Sequence, residues 1–154
     1  MPRPRRLLAG FVLVLGLMLG SLPIDAVDAR PRGISSDQER VRELVNDTRG
    51  NNNRRGLTMN KQFADRALNW ARELARCRCL KHRQGPYGAP AGWYAAAENV
   101  GRGWSLEQVH RAFLNSPGHR ENILTRRFTH IGTGVARAAN GEIFVVQAFM
   151  DRTP

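Results

Sequence analysis

The stretch after residue 35 places apolar residues three and four positions apart, which is typical of a helix with one buried face. Ser36 and Glu39 form the S-x-x-E pattern of a capping box at its start. The asparagines at 51–53 and Gly56 mark its end, so the pattern predicts a helix over 36–49. Its inward positions are Val41, Leu44, Val45 and Thr48.

The same kind of pattern predicts further helices downstream. Asn60 can cap a second helix that runs to about Arg78. Ser105 with Gln108 starts a third helix, and a turn then precedes a short helix over 119–124. The second helix carries an alanine-rich stripe, formed by Ala64, Ala67, Leu68, Ala71, Leu74 and Ala75. The third helix is expected to bury Leu106, Val109, Ala112 and Phe113.

The end of the chain changes to β-rich sequence and predicts two strands, 130–136 and 142–149. Asn140 and Gly141 between them are a strong hairpin signal. Because a lone hairpin is only marginally stable in water, it needs another strand, and 96–102 is the candidate. Helices followed by a hairpin indicate an α+β fold.

The N-terminus has the features of a secretory signal peptide. Three arginines precede an apolar run from Leu7 to Leu19, which is shorter than the roughly 20 residues that a membrane-spanning helix needs. The small residues around Ala29 offer a cleavage site, although the uncleaved segment could also act as an anchor. We expect a secreted, extracellular protein without a stable membrane span after cleavage. Its parts are a signal peptide over 1–29, a short tail over 30–35 and one domain over 36–152.

Charge narrows the range of partners. Removing residues 1–29 takes away three arginines and two aspartates, which changes the net charge from +11 to +10. A charge this large favours anionic partners through long-range attraction, and outside a cell these are wall polymers and lipid headgroups. The arginines are interspersed with acids and form no stripe with aromatic residues, so we do not expect a nucleic-acid partner. We expect a monomer.

Most of the large aromatic residues are expected in the core. These are Trp70, Trp93, Trp104, Phe128, Phe144 and Phe149. Trp93 and Tyr94 follow a glycine- and proline-rich stretch over 84–92, a predicted loop, and could instead border a ligand groove. His110 is expected on the surface or between helices, and His130 in the core or at a strand edge.

Cys77 and Cys79 are the only cysteines, and export would place them in an oxidising space. Residues two apart on a helix point away from each other, so a bridge between them requires the helix to end by Arg76 or Cys77. A strained local disulfide, two free thiols and a link between chains are all compatible with the sequence. A zinc site that includes these cysteines is the weakest alternative, because oxidation competes with metal binding.

Two histidines and one carboxylate form the candidate chemical site: His82, Glu98 and His119. Two neutral imidazoles and one carboxylate give a ligand set suited to Zn²⁺ or another divalent cation, with positions left for water. Without a metal, the acid could instead fix the tautomers of the imidazoles. The sequence marks no nucleophile, because Ser116 lies in a Ser-Pro-Gly turn and no G-x-S-x-G motif surrounds it.

Several motifs together resemble bacterial CAP domains. Ser116–Leu124 reads S-P-G-H-R-E-N-I-L, Glu98 stands in Ala-Glu-Asn-Val, and Ile131–Ala136 reads I-G-T-G-V-A. These motifs occur in the order seen in the superfamily of cysteine-rich secretory proteins, antigen 5 and pathogenesis-related 1 proteins, also called SCP-like extracellular domains. The resemblance spans about residues 36–150. It implies an α-β-α sandwich, with a small antiparallel sheet packed between helices.

The resemblance also implies a cleft lined by two histidines and two acids. His82 and His119 match the two histidines, and Glu98 matches the acid of the family's G-E-N motif, with Ala97 in place of the glycine. Ser116 stands where many members have the second acid, and no motif match assigns Glu107 or Glu121 to that role. Asn99 and Gln147 match positions expected to support the cleft by hydrogen bonds.

Two functions are compatible with this cleft. The first is a secreted module that binds a lipid-like or cell-envelope ligand, with a divalent cation as a further component. The second is a metal-dependent peptidase or esterase in which Glu98 acts as general base. An enzyme must turn over and lose activity when the metal is chelated. The family includes lipid and sterol binders, so binding is the first hypothesis.

Overall fold

The computed structural model describes residues 33–84, 92 and 94–151. The predicted signal peptide, Trp93 and most of the predicted 84–92 loop lie outside the described residues. The elements in chain order are α1 (Ser36–Asn51), β1 (Thr58–Met59), α2 (Lys61–Cys77), β2 (Tyr94–Gly103), α3 (Leu106–Asn115), α4 (Pro117–Leu124), β3 (His130–Arg137) and β4 (Ile143–Asp151). None of the described helices is both long and apolar enough to span a membrane.

The strands form a mixed sheet in the order β1-β3-β4-β2. The predicted hairpin is confirmed: β3 and β4 pair antiparallel, and Gly141 at the turn has a φ of +88°. The predicted third strand pairs with β4 on its other side, in antiparallel register from Ala97 to Gly103. The two-residue strand β1, which pairs parallel with β3, was not predicted.

Helices cover both faces of this sheet, which confirms the α-β-α sandwich. Along β4, Val145 packs in a core shared with α1, α3 and α4, whereas its neighbours Phe144 and Val146 pack in a core shared with α2. Successive strand residues point to opposite faces, so a strand buried on both sides must be apolar at nearly every position. The apolar run in β4 therefore reflects its central place in the sandwich.

Two glycines let α2 lie directly on β3. A Cβ atom added at Gly132 would lie 2.5 Å from the carbonyl carbon of Phe63, and one added at Gly134 would lie 2.2 Å from that of Ala67. Both contacts are with helix backbone, which cannot rotate away as a side chain can. The spacing of two residues puts both glycines on the face of β3 that α2 covers.

The predicted capping box of α1 is wrong by one residue. The N-cap is Ser35, whose hydroxyl accepts a hydrogen bond from the Gln38 backbone N–H, while the Gln38 side chain accepts one from the Ser35 N–H. The Gln38 amide also donates to the carbonyl of Thr133 at 2.6 Å and is almost fully buried. This buried bond to β3 selects Ser35 and Gln38 over the equally regular pair Ser36 and Glu39.

Two other burial predictions are wrong. Ala112 is exposed, and His110 takes the inner position on α3, where its Nε2 lies 2.8 Å from the Thr48 hydroxyl of α1. His110 thus packs between helices, which was one of its two predicted places. Trp104 is 62% exposed, because it follows the last residue of β2 and precedes α3, outside both cores.

The short fourth helix begins at Pro117 rather than residue 119, since proline is well suited to the first turn.

Cys77 and Cys79 form a disulfide, which decides among the alternatives left by the sequence. Helix α2 ends at Cys77, and Arg78 adopts the left-handed conformation with a φ of 51°. The helix therefore ends where a bridge between residues two apart requires it to end. This turn sends the chain toward His82.

Candidate functional site

The first half of the site is a bonded pair of side chains, His82 and Glu98. Glu98 lies on β2 and is largely buried, and its Oε1 lies 2.7 Å from Nδ1 of His82. The backbone N–H of Arg83 donates to the same oxygen at 3.2 Å. A carboxylate can only accept a hydrogen bond, so Nδ1 of His82 carries a proton. The other ring nitrogen, Nε2, takes no part in this bond. The His82 side chain is 65% exposed, so the ring is oriented by the protein and presented to solvent.

The second half of the site is His119 on α4. Its ring makes an edge contact with Phe113 of α3, with ring centroids 5.1 Å apart. Burial lowers the pKa of His119, and the nearby imidazole of His82 lowers it further. A lowered pKa favours the neutral form of the His119 ring.

A chain of amides fixes α4 to β2. Asn99 donates to the backbone carbonyl of His119 and to Oε1 of Gln147, both at 3.0 Å, and accepts from Asn122 at 2.9 Å. Asn99 and Gln147 are buried and face each other across β2 and β4. These bonds hold α4 against the sheet; a supporting role toward a ligand stays a prediction. The role of Asn122 was not predicted, although it lies within the quoted motif.

A buried arginine holds the other end of α4. Arg49 of α1 is fully buried and donates to four backbone carbonyls, at 2.7 Å to Arg55, 2.7 Å to Ile123, 3.0 Å to Thr125 and 3.4 Å to Phe128. The planar guanidinium matches several acceptors at once, which an ammonium group cannot do. Burial lowers the pKa of Arg49 below its ordinary value. No sequence signal predicted this role, because arginine at the end of a helix is usually exposed.

Ser116 joins α3 to α4. It follows the last residue of α3, and its carbonyl accepts from the Arg120 N–H at 2.9 Å, while its side chain makes no capping bond to α4. Its position is explained by the turn between the two helices. The geometry therefore gives no support for Ser116 as a nucleophile.

The three candidate metal ligands do not form a shared site in this arrangement. Within the described residues, no group of three or more histidine, cysteine, aspartate and glutamate side chains is placed to hold one metal ion. Glu98 and Asn99 are neighbours on β2 and therefore point to opposite faces of the sheet. Glu98 meets His82 on the side of α2, whereas Asn99 faces the other side and meets α4 through the backbone carbonyl of His119. Zinc binding stays a prediction, and no chemical step is derived through a metal.

What this arrangement offers is a set of oriented hydrogen-bonding groups. His82 presents Nε2 to solvent, and its second nitrogen is held by a buried carboxylate. The described parts of the site contain no serine or cysteine bonded to either histidine as a nucleophile would be. The geometry is therefore suited to recognising a polar group.

The sequence profile of the cysteine-rich secretory protein family, CAP, matches residues 42–149. The chain belongs to this family. YkwD, an uncharacterized protein of Bacillus subtilis (strain 168), is 29% identical over an alignment of 119 positions that covers 71% of this chain and 46% of that protein. The chain thus spans about half the length of this curated CAP relative.

Solved structures support the same fold. An outer surface protein of Borrelia burgdorferi superposes with a TM-score of 0.68 at 20% identity, covering 79% of this chain and 96% of that one. An extracellular protein with an SCP domain from Bacillus anthracis gives a TM-score of 0.59 at 22% identity, covering 75% of this chain and 40% of that one. At these identities the likeness shows the fold alone. It confirms the CAP architecture.

Proposed function

We propose that this CAP domain is secreted and binds a small lipid-like or cell-envelope ligand, whose polar group is bound by His82. The observation that carries the proposal is the pair of an exposed imidazole and a buried carboxylate, 2.7 Å apart. A buried acceptor fixes the ring without covering its other nitrogen. Such preorganisation reduces the entropy that a ligand must remove on binding.

An apolar neighbour favours an amphiphilic ligand. Leu80 is 50% exposed and lies two residues before His82 in the same segment. An exposed leucine alone is ordinary, but this one lies in the same short segment as the imidazole that would bind a head group. A ligand with a hydrogen-bonding head and an apolar tail would contact both side chains.

Export is part of the proposal, and it rests on the charged N-terminus and the apolar run from Leu7 to Leu19. The outer surface and extracellular descriptions of the two structural relatives agree with it. Intact-mass measurement on secreted protein should give a chain that begins at Arg30. Secreted protein that still carries the apolar run would contradict cleavage and indicate an anchor.

Binding can be tested in two steps. Native mass spectrometry of the purified protein first shows which small molecules it retains. A fluorescent fatty acid is then titrated into delipidated parent, His82→Ala and Glu98→Gln proteins. We expect each variant to bind at least about tenfold more weakly, because each removes a charge-assisted bond or the group that orients it. Arg126→Ala, an exposed change on another part of the surface, should bind like the parent.

The same samples distinguish binding from catalysis. We expect no hydrolysis of a p-nitrophenyl ester or of a peptide substrate, and no effect of EDTA on probe binding. Turnover that EDTA abolishes and that Glu98→Gln removes would support the metal-dependent hydrolase instead. Equal affinity of His82→Ala and parent for the probe would contradict the assignment of the head-group site.

A further inference from the structure

Four arginines surround a depression on the α2 side of the sheet. Arg72 and Arg76 come from α2, Arg78 from the turn after it, and Arg137 from the end of β3. The depression has a volume of about 390 Å³, and the other described residues that line it are alanines, including the nearly buried Ala75 and Ala138. We call these residues the arginine groove. The pair of His82 and Glu98 does not contribute to it.

The charge of the groove is concentrated and of one sign. None of the described residues that line it is acidic. Arg72 and Arg76 are four residues apart on α2, and like charges at this spacing destabilise a helix by about 0.2–0.5 kcal/mol. Arg137 has an exposed ion pair with Asp37 at 3.4 Å, a kind of contact that adds little stability and exchanges readily. An anion in the groove would offset the repulsion among the arginines.

The backbone beneath Arg78 is held on both sides. The disulfide joins Cys77 to Cys79, and the carbonyl of Arg78 accepts a hydrogen bond from the Arg102 side chain at 3.3 Å. Arg78 is thereby kept at the rim in its left-handed conformation. The disulfide thus has a local role, which is to fix one arginine relative to the other three.

The shape and lining favour a chain of phosphates. Guanidinium groups bind phosphate oxygens through two parallel hydrogen bonds, and a groove admits a linear chain better than it fits a flat bilayer. Bilayer-binding surfaces also carry large apolar side chains, whereas the apolar lining here is alanine. Among the described lining residues there is no aromatic side chain to stack on nucleic-acid bases.

We propose that the arginine groove binds a linear phosphodiester polyanion of the cell envelope and so retains the domain at the wall. This site is separate from the His82 site. The inference rests on the export proposed above, and it holds whether or not the His82 site binds a lipid. The role requires neither turnover nor a metal.

The probe is a synthetic glycerol-phosphate oligomer of about ten units, titrated by calorimetry into the mature chain in 0.15 M NaCl. We expect Arg72→Gln/Arg76→Gln to lower its affinity about tenfold or more, because charged hydrogen bonds are lost. The slope of log affinity against log salt should become shallower, since fewer counterions are released. Glutamine is a good helix former, and circular dichroism checks that α2 is intact.

The matched control removes two exposed arginines from the opposite layer, as Arg111→Gln/Arg126→Gln. It has the same net charge as the test variant, and we expect less than about a twofold loss of affinity, which surface charge alone would give. Equal losses in both variants would overturn the proposal in favour of diffuse attraction. Absence of binding by the parent would overturn it too.

Two comparison ligands test the choice of partner. Tighter binding to vesicles with 30% phosphatidylglycerol than to the oligomer would assign the groove to a membrane surface. Tighter binding to a single-stranded oligonucleotide with the same number of phosphates would assign it to nucleic acid. Preference for the oligomer, lost in Arg72→Gln/Arg76→Gln, supports the proposal.

Discussion

A single methyl group at Gly134 should separate α2 from the sheet. In Gly134→Ala, the new Cβ would lie 2.2 Å from both the carbonyl carbon and the oxygen of Ala67 and 2.4 Å from the backbone nitrogen of Leu68. Carbon atoms in contact sit at about 3.5–4.0 Å, so the helix must move by about 1 Å or more. All three atoms belong to helix backbone, and no rotamer change can relieve the contact.

The cost of this shift is set by what α2 buries. The helix contributes Ala67, Ala71, Leu74 and Ala75 to the core on its side of the sheet. Overpacking a core costs about 1–3 kcal/mol and occasionally more, and a backbone clash belongs at the upper end. We expect Gly134→Ala to lower the free energy of unfolding by about 3 kcal/mol. Because α2 leads into His82, the variant should also bind the fatty-acid probe more weakly.

The matched control is Gly50→Ala. Gly50 lies in α1, and a Cβ there meets nothing within 4 Å. Alanine is the better helix former, so the control should be unchanged or more stable by up to about 1 kcal/mol. Urea unfolding followed by circular dichroism measures all three proteins. A loss below about 1 kcal/mol for Gly134→Ala would refute the close approach of α2 to β3.

Other parts of the structure can be tested in the same way. Arg49→Met should destabilise the domain by about 3–5 kcal/mol, because buried carbonyls lose their hydrogen-bond donor, and Arg49→Lys should cost less, about 1–3 kcal/mol. If urea unfolding gave small and equal losses of stability for the two variants, the arrangement of four hydrogen bonds would be contradicted. Cys77→Ser/Cys79→Ser should unfold within about 1 kcal/mol of the parent in the same assay, because the bridge closes a very short loop, and a loss above about 3 kcal/mol would mean a long-range role. Burial lowers the pKa of His110 below its ordinary 6.5, so the unfolded chain takes up more protons than the folded one, and stability should fall as the pH drops below about 6.5. His110→Gln should flatten this pH dependence of stability, by at most about 1.4 kcal/mol per pH unit. An unchanged pH profile of stability would exclude His110 as its source. Calorimetry at pH 7.5 and 5.5 should show weak Zn²⁺ binding that falls at the lower pH, since ligating imidazoles must be neutral. The binding should be mostly lost in His82→Ala. Equal Zn²⁺ binding by this variant and the parent would place the ion elsewhere.

Elements with strong local signals were predicted well. Asn60 caps α2, Ser105 caps α3, and the turn at Asn140 and Gly141 joins β3 to β4, as expected from short motifs alone. These signals succeed because the hydrogen bonds involved join residues only a few positions apart. The expectation of an α-β-α sandwich and the choice of candidate site residues came from the family resemblance and not from these short motifs.

Features that depend on distant partners were missed. Arg49 is buried because carbonyls from the end of α4 and the loop after it converge on its side chain, and no local pattern encodes that. The N-cap is Ser35 and not the predicted Ser36, because Gln38, three residues after Ser35, bonds to Thr133 on another element. The side chains of Glu98 and Asn99 point to opposite faces of the sheet. This separates their partners only because β2 lies between α2 on one side and α4 on the other, which the sequence does not show.

The place of β4 in the sheet bears on when the domain can fold, and so on the export proposed above. This strand, Ile143–Asp151, is the last described element, yet it pairs with both β3 and β2 and supplies residues to both cores. Until it has left the ribosome, the earlier strands lack their shared neighbour and neither core is complete. Folding of this domain must therefore wait for nearly all of its described residues. In the export proposed above, that leaves time for a nascent polypeptide to be threaded through a translocation channel. Pairings between distant segments also form slowly, so the topology itself would delay premature folding on the cytoplasmic side.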